Sequence, residues 1–142
     1  MNTLAVVAIL LGLVALATVL GLIWQSLNGR IGAPRRRTSR DAVNLPEVAR
    51  GAKATLLQFS TEVCAPCVPT RRVLGQIADS TDGVKHVDLD LTHRPDIAAQ
   101  FNVLQTPTTL ILDRAGIIRA RIGGAPRQAD VRAALADILA AA

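Results

Sequence analysis

Aromatic residues are nearly missing: in 142 residues there are one tryptophan, two phenylalanines and no tyrosine. Any core must therefore be built from aliphatic side chains. Cysteine is scarce too. The only two, Cys64 and Cys67, are too few for a disulfide-stapled secreted scaffold and too close for an ordinary structural bridge. Acid is absent before Asp41, so Arg30, Arg35, Arg36, Arg37 and Arg40 supply the whole net charge of +5. From Asp41 onward, eleven basic side chains stand against eleven acidic ones. A basic excess usually raises nucleic acid as a partner. Here the excess is a run beside an apolar segment and the rest is neutral, so no nucleic acid is expected. No Ser/His/Asp set, phosphate-binding glycine loop, paired carboxylates or internal repeat is apparent.

A long hydrophobic run is present. Leu4 to Trp24 carries no charge, and its 21 residues at ~1.5 Å each make about 31 Å of helix, matching a ~30 Å hydrocarbon core. Trp24 falls where an interfacial anchor belongs. The rival, a cleaved signal peptide, fits less well: no Lys or Arg precedes the run, the run exceeds the ~7–15 residues of an h-region, and no A-x-A-like site follows it at the right place. Residues 1–24 are thus expected to be a single-pass anchor in the cell membrane, with the lipid bilayer as a partner. The arginines after it place the C-terminal side in the cytoplasm by the positive-inside rule, the alternative being extracytoplasmic. Residues 25–43 read as a basic flexible linker, whose coil reach of about 24 Å keeps the following domain near the bilayer.

Residues 44–142 read as one domain. Asn44 is a candidate cap for a short turn ending at Gly51. Strands are expected over 54–60, 84–90, 108–113 and 117–122, the last with alternating faces after a turn at Arg114–Gly116. Helices are expected from about Cys64 to Asp79, over 95–101, and over 127–141. The order β-α-β-α-β-β-α implies an α/β fold, a mixed central sheet flanked by helices. The cysteine pair, as Cys64-Ala65-Pro66-Cys67, then falls where a strand ends and a helix begins. Unpaired backbone N–H groups and the helix dipole favour thiolate there, and can draw a cysteine pKa from about 8.5 into the ~3.5–7.5 range. Two intervening residues let one sulfur reach the other, the geometry of a dithiol that cycles with a disulfide.

This stretch resembles the thioredoxin family. The resemblance rests on Phe59, on Cys64-Ala-Pro-Cys67, on Val87-Asp-Leu-Asp90, and on Phe101-Asn-Val-Leu-Gln-Thr-Pro107-Thr, with Gly116 and Gly123 in support. It covers residues 44–142 and looks like the small membrane-anchored, actinobacterial thioredoxin-like proteins. It implies a thioredoxin-like fold behind one transmembrane helix, and a thiol–disulfide oxidoreductase acting on protein disulfides. It also implies that Cys64 is the attacking thiolate and Cys67 the resolving thiol. Pro107 would be cis, with Thr106, Ala65 and Pro66 in contact with substrate. No cofactor beyond the redox-active Cys64–Cys67 disulfide is implied, and no metal; an unidentified electron donor would recycle the dithiol.

Two departures bear on chemistry. Gln58 stands where the family usually has a buried Asp, so no carboxylate can take a proton from Cys67. His86 falls where many thioredoxins have a buried Lys. With an unperturbed pKa near 6.5 it is a candidate proton relay with Gln58, although an edge histidine without a role is the simpler reading. Val63 replaces the usual Trp before the first cysteine. Two other functions compete. A zinc-binding module would use Cys64, Cys67, His86 and His93, but its H-x6-H spacing lies outside the usual H-x3–5-H. A redox-inactive thioredoxin-fold interaction module would leave the intact cysteines without purpose.

Overall fold

A computed structural model describes residues 2–27, 31–32, 43, 46 and 49–141. Arg30, Arg35, Arg36, Arg37 and Arg40, Asn44 and most of the stretch read as a linker lie outside the described residues. Helix α1 spans Thr3–Leu27. Its segment Thr3–Trp24 is long and apolar enough to cross a membrane, and none of it is buried by the rest of the chain. Leu4 and Trp24, at the ends of the run, are 84% and 70% exposed.

After a two-residue strand β1 (Ile31–Gly32) come β2 (Ala54–Ser60), α2 (Cys67–Asp79), β3 (Val84–Asp90), α3 (Pro95–Gln100), β4 (Thr108–Asp113), β5 (Ile118–Gly123) and α4 (Gln128–Ala140). The sheet order is β1-β5-β4-β2-β3. Only β2 and β3 run parallel; the other pairs are antiparallel. This is the mixed sheet expected from the order of elements. Two points of the stretch read as a free linker touch the domain. Ile31 and Gly32 pair with Ile122 and Arg121, and Val43 is buried, its N–H donating to the Gly116 carbonyl at 2.8 Å.

The side-chain period of two splits the core between the faces of the sheet. Ala54, Leu56, Ile111, Ala120 and Ile122 pack under α2 and α4, against Leu74, Ile77, Val131 and Leu135. Leu57, Phe59, Leu110 and Leu112 face the other way, against Leu91, Ile97, Phe101 and Val103 around α3. Phe59 and Phe101 are a tilted ring pair, centroids 5.4 Å apart. Apart from this pair both layers are aliphatic, as the composition requires. Strand β2, flanked by β4 and β3, is buried at every position, which explains why it reads as a continuous run rather than an alternating one.

Several element limits differ from expectation: α3 and α4 are each shorter by a residue at one end or both, and two further differences bear on the site and on the turn opposite it. The first helix of the domain begins at Cys67, not Cys64: residues before it form a turn in which the Cys67 N–H donates to the Cys64 carbonyl at 3.1 Å. The last strand starts one residue later than its pattern suggests, because pairing shifts between Ile111 and Leu112, so that Leu112 meets Ile118. Residues 114–117 form the β4–β5 turn, across which the Asp113 N–H donates to the Ile117 carbonyl at 3.0 Å. In it Gly116 takes φ +79°, which disfavours any L side chain.

Asp113 closes that turn. Its carboxylate accepts the N–H groups of Ala115 (2.9 Å) and Ile117 (3.0 Å) and the Arg119 Nε–H (2.5 Å). Burial alone would raise its pKa; these donors, with the Arg119 charge, outweigh burial and hold the carboxyl below the usual carboxylate range. Asp113→Ala strands two backbone donors and a half-buried guanidinium, and should lower stability by roughly 2 kcal/mol, read from a urea titration. The wild-type contribution is present above the unfolded carboxylate pKa and fades as pH falls through the depressed folded value. An unchanged midpoint at neutral pH would contradict this role.

Candidate active site

The cysteines lie at the end of the sheet where β2 finishes. Leaving Ser60, the chain turns over the top of the sheet and enters α2 at Cys67. Cys64 and Cys67 are joined as a disulfide, with Cα atoms 5.3 Å apart. They differ sharply in access: Cys67 is buried (2% exposed), whereas Cys64 is partly open and Ala65 and Pro66 beside it are exposed. Cys67 is the first helical residue and Cys64 lies three positions ahead, not at the helix start as expected from sequence. The helix dipole still acts on both sulfurs. Pro66, at the N-cap, makes no side-chain capping bond, and no acid sits in the first turn to offset the positive end.

A second loop borders the disulfide. The Thr106–Pro107 bond is cis, and Pro107 is buried while Thr106 is partly exposed. The Pro107 carbonyl accepts the Gly124 N–H at 2.8 Å, holding the loop to the end of β5. Thr106 Oγ1 meets Thr61 Oγ1 at 3.2 Å, so this loop and the cysteine turn lie side by side. Around them Val63 and Leu104 are 98% and 87% exposed, and Val68 is half exposed.

Beneath the cysteines lies a polar pair. Gln58 is fully buried on β2. Its Nε2 donates to the Cys67 carbonyl at 3.1 Å, and its Oε1 meets His86 Nε2 at 3.2 Å. The carbonyl can only accept, so the amide nitrogen must face it and the amide oxygen must face His86. His86 therefore presents an Nε2–H. In the parallel register Leu56 is opposite His86, which puts Gln58 on the same face, one diagonal step along. His86 is partly buried, not a bare edge residue. Burial holds its pKa below the usual imidazole range, with Asp88 and Asp79 pulling it back up and Arg71 pushing it down. Burial thus favours its neutral form. Asp88 is itself shared: it accepts Ser60 Oγ–H and Arg71 Nε–H, each at 2.6 Å. Ser60 and Arg71 are the contacts sequence reasoning missed: the β2–β3 register brings Ser60 to Asp88, and the packing of α2 on the sheet brings Arg71. Opposite Gln58, the buried Thr109 hydroxyl has no hydrogen-bond partner among the described residues.

The donor set expected of a zinc site does not assemble. Both sulfurs are bonded to each other, His86 Nε2 is turned to Gln58, and His93 is exposed beyond β3. Among the described residues no three His, Cys, Asp or Glu side chains gather as metal ligands.

The thioredoxin family model matches residues 41–137. Thioredoxin H2 of Arabidopsis thaliana is 30% identical over 86 residues, covering 61% of this chain and 65% of that protein, a little under two thirds of its length. A thioredoxin of Chlorobaculum thiosulfatiphilum is 29% identical over 82 residues, covering 57% of this chain and 76% of its own. Among solved structures, oxidised mitochondrial thioredoxin 3 of Saccharomyces cerevisiae superposes with a TM-score of 0.54 at 22% identity, covering 63% of this chain and 83% of that one, a likeness of fold.

Proposed function

The chain belongs to the thioredoxin family of thiol–disulfide oxidoreductases, and on that premise we propose that it is a membrane-tethered reductase of protein disulfides. One observation carries the assignment of roles: the partly open Cys64 beside the buried Cys67 at the start of α2, which has no capping side chain. The Cys64 thiolate attacks a substrate disulfide and forms a mixed disulfide. Cys67 then displaces the substrate thiol and regenerates the Cys64–Cys67 disulfide. Thr106 and Pro107, with Ala65 and Pro66, border the approach to Cys64 and receive the substrate backbone. An electron donor returns the pair to the dithiol. Residues 1–24 anchor the protein, residues 44–142 carry the chemistry, and the arginines between them favour a cytoplasmic domain.

The test is trapping. Cys67→Ala leaves Cys64 able to attack but removes the thiol that releases the product. In cells it should accumulate mixed disulfides that dithiothreitol dissolves, each linked through Cys64. If Cys67→Ala yields no more adducts than Cys64→Ala, the reductase reading fails.

Gln58 and His86 are the polar pair beneath Cys67, but the Gln58 amide meets the Cys67 carbonyl and His86 turns an N–H to Gln58, so neither presents a base to the Cys67 sulfur. Lacking a carboxylate there, the chain relies on water or on thiolate exchange to take the Cys67 proton as the mixed disulfide resolves, and His86 could serve only after turning away from Gln58. Gln58→Asp restores a base under the helix start but loses the bond to the Cys67 carbonyl. It should accelerate resolution about 10-fold and leave the first attack nearly unchanged, while lowering stability by roughly 2 kcal/mol because a carboxylate is buried. Stopped-flow reduction of a model disulfide and a urea titration check both. If neither rate nor midpoint moves, Gln58 has no part in resolution.

A further inference from the structure

Strand β1 determines which end of the domain faces the bilayer. Only residues 28–30 separate the end of α1 at Leu27 from Ile31. Four Cα steps span at most ~14 Å, and the helical turn from Trp24 to Leu27 adds about 5 Å. Ile31 therefore lies within ~19 Å of the hydrocarbon edge, of which the headgroup layer takes up about 5–8 Å.

The register says what lies there. Ile31 pairs with Ile122, and the next residue of β5, Gly123, is opposite Thr108. Thr108 follows Pro107 and pairs with Phe59, at the end of β2 that leads to Cys64. The tether thus enters the sheet at the end that bears the disulfide. Being antiparallel to β5, β1 then runs away from that end. The chain rejoins the domain at Val43 against Gly116, in the β4–β5 turn at the opposite end. Strands of six or seven residues put the two ends roughly 20 Å apart. Laterally, three strand spacings separate β1 from β2, about 14 Å, so Cys64 lies over the same patch of membrane as the tether. The rim at this end exposes Val63, Leu104 and Val68 with Pro66, and beside them the acids Glu62 and Asp90, which share Thr92.

We infer that the Cys64–Cys67 end faces the bilayer, and that its partner is a cysteine pair held at the membrane surface by an integral membrane protein. The inference rests on the reading of a membrane-tethered reductase and names its substrate class. A soluble protein of ordinary size would have to enter the gap between the rim and the headgroups. A cysteine pair projecting from the membrane is already in it. The exchange balances within the two proteins. Cys64 thiolate attacks the partner's disulfide, breaking that S–S bond and forming a mixed disulfide. Cys67 thiolate displaces the second partner sulfur and closes the Cys64–Cys67 bond. Two electrons pass to the partner, whose two thiolates take up the two protons released by Cys64 and Cys67.

The test uses the full-length chain in proteoliposomes and in its native membrane, in three forms: the native tether, a flexible Gly/Ser insertion of about 20 residues between Leu27 and Ile31, adding roughly 25 Å of reach, and the same insertion between Gly32 and Val43. In the Cys67→Ala background, a bulky polyethylene-glycol maleimide should label Cys64 about tenfold more slowly, relative to a small maleimide, with the native tether. The insertion before Ile31 should remove that difference; the insertion after Gly32 should leave it. Adducts trapped by the native tether should stay with the membrane through carbonate extraction, and the insertion before Ile31 should lower their yield severalfold. Equal labelling ratios in all three forms, or adducts made mainly with soluble proteins, overturn the inference. Reduction of a small soluble disulfide by the three forms without the Cys67→Ala change is the separate control. If none of them reduces it, the reductase reading itself has failed; if all do so equally, the result bears on orientation alone.

Discussion

Cys64→Ser should lower the rate of protein-disulfide reduction by at least ~1,000-fold, more than about 4 kcal/mol of barrier. The serine hydroxyl keeps the shape of the thiol but does not ionise near neutrality, and the reacting species is the thiolate. The surroundings sharpen the contrast. Cys64 sits ahead of a helix start with no capping side chain and no first-turn acid, so the field that stabilises a thiolate has nothing to act on in the serine variant. Cys67→Ser should behave differently, completing one attack and stopping at the mixed disulfide. Since Cys64 is partly exposed, its replacement should leave the fold intact, which the far-ultraviolet circular dichroism of the variant checks. Activity of Cys64→Ser within tenfold of wild type would assign the chemistry to another group.

The second large effect concerns the anchor. Full-length protein should remain in the membrane through carbonate extraction, and deletion of residues 1–27 should transfer it almost entirely to the soluble fraction. Buried apolar residues each favour insertion by about 0.3–0.6 kcal/mol at the helix centre, and the run from Leu4 to Trp24 has no charged residue to oppose them. None of Thr3–Trp24 is buried against the domain, so its removal exposes no core. The deleted form should therefore reduce a small soluble disulfide at an unchanged rate. Release of full-length protein by carbonate, or a mature chain that begins after residue 24, would rule out the anchor. A reporter fused after residue 142 checks the side of the membrane, with a cytoplasmic signal expected.

Much of this was readable from residue order because the signals were local. Ala54–Ser60 is apolar and bounded by Gly51 and the cysteine turn, so β2 was marked at both ends. Ile77, Leu74, Val131 and Leu135 recur at helical spacing and lie in the core facing α2 and α4. What escaped depended on pairing between distant segments. Nothing in Ile31–Gly32 distinguishes a strand from a linker; only its partners on β5 make it one. Pro66 and Pro69 are compatible with a first helical turn and so suggest an α2 that starts at Cys64, whereas the bond from Cys67 N–H to Cys64 carbonyl closes a separate turn before it. Proton-relay roles for His86 and Gln58 could be suggested from alignment, but their contact needed the β2–β3 register, in which a slip of one residue would turn His86 to the opposite face. The shift at Leu112 is likewise invisible in an alternating pattern, since a bulge changes the count on one strand only.

The most direct measurement is a single turnover. Full-length protein is reduced, freed of reductant in detergent or nanodiscs, and mixed with an excess of a disulfide-containing protein. Both are then acid-quenched, alkylated and weighed by mass spectrometry with peptide mapping. The expected result is that the peptide holding Cys64 and Cys67 loses two hydrogens and resists alkylation, while an equal number of substrate disulfides appears as alkylated thiol pairs, with Cys64 as the linked residue in any intermediate. A Cys64–Cys67 pair that remains fully alkylatable while the substrate disulfide stays intact would contradict the assignment.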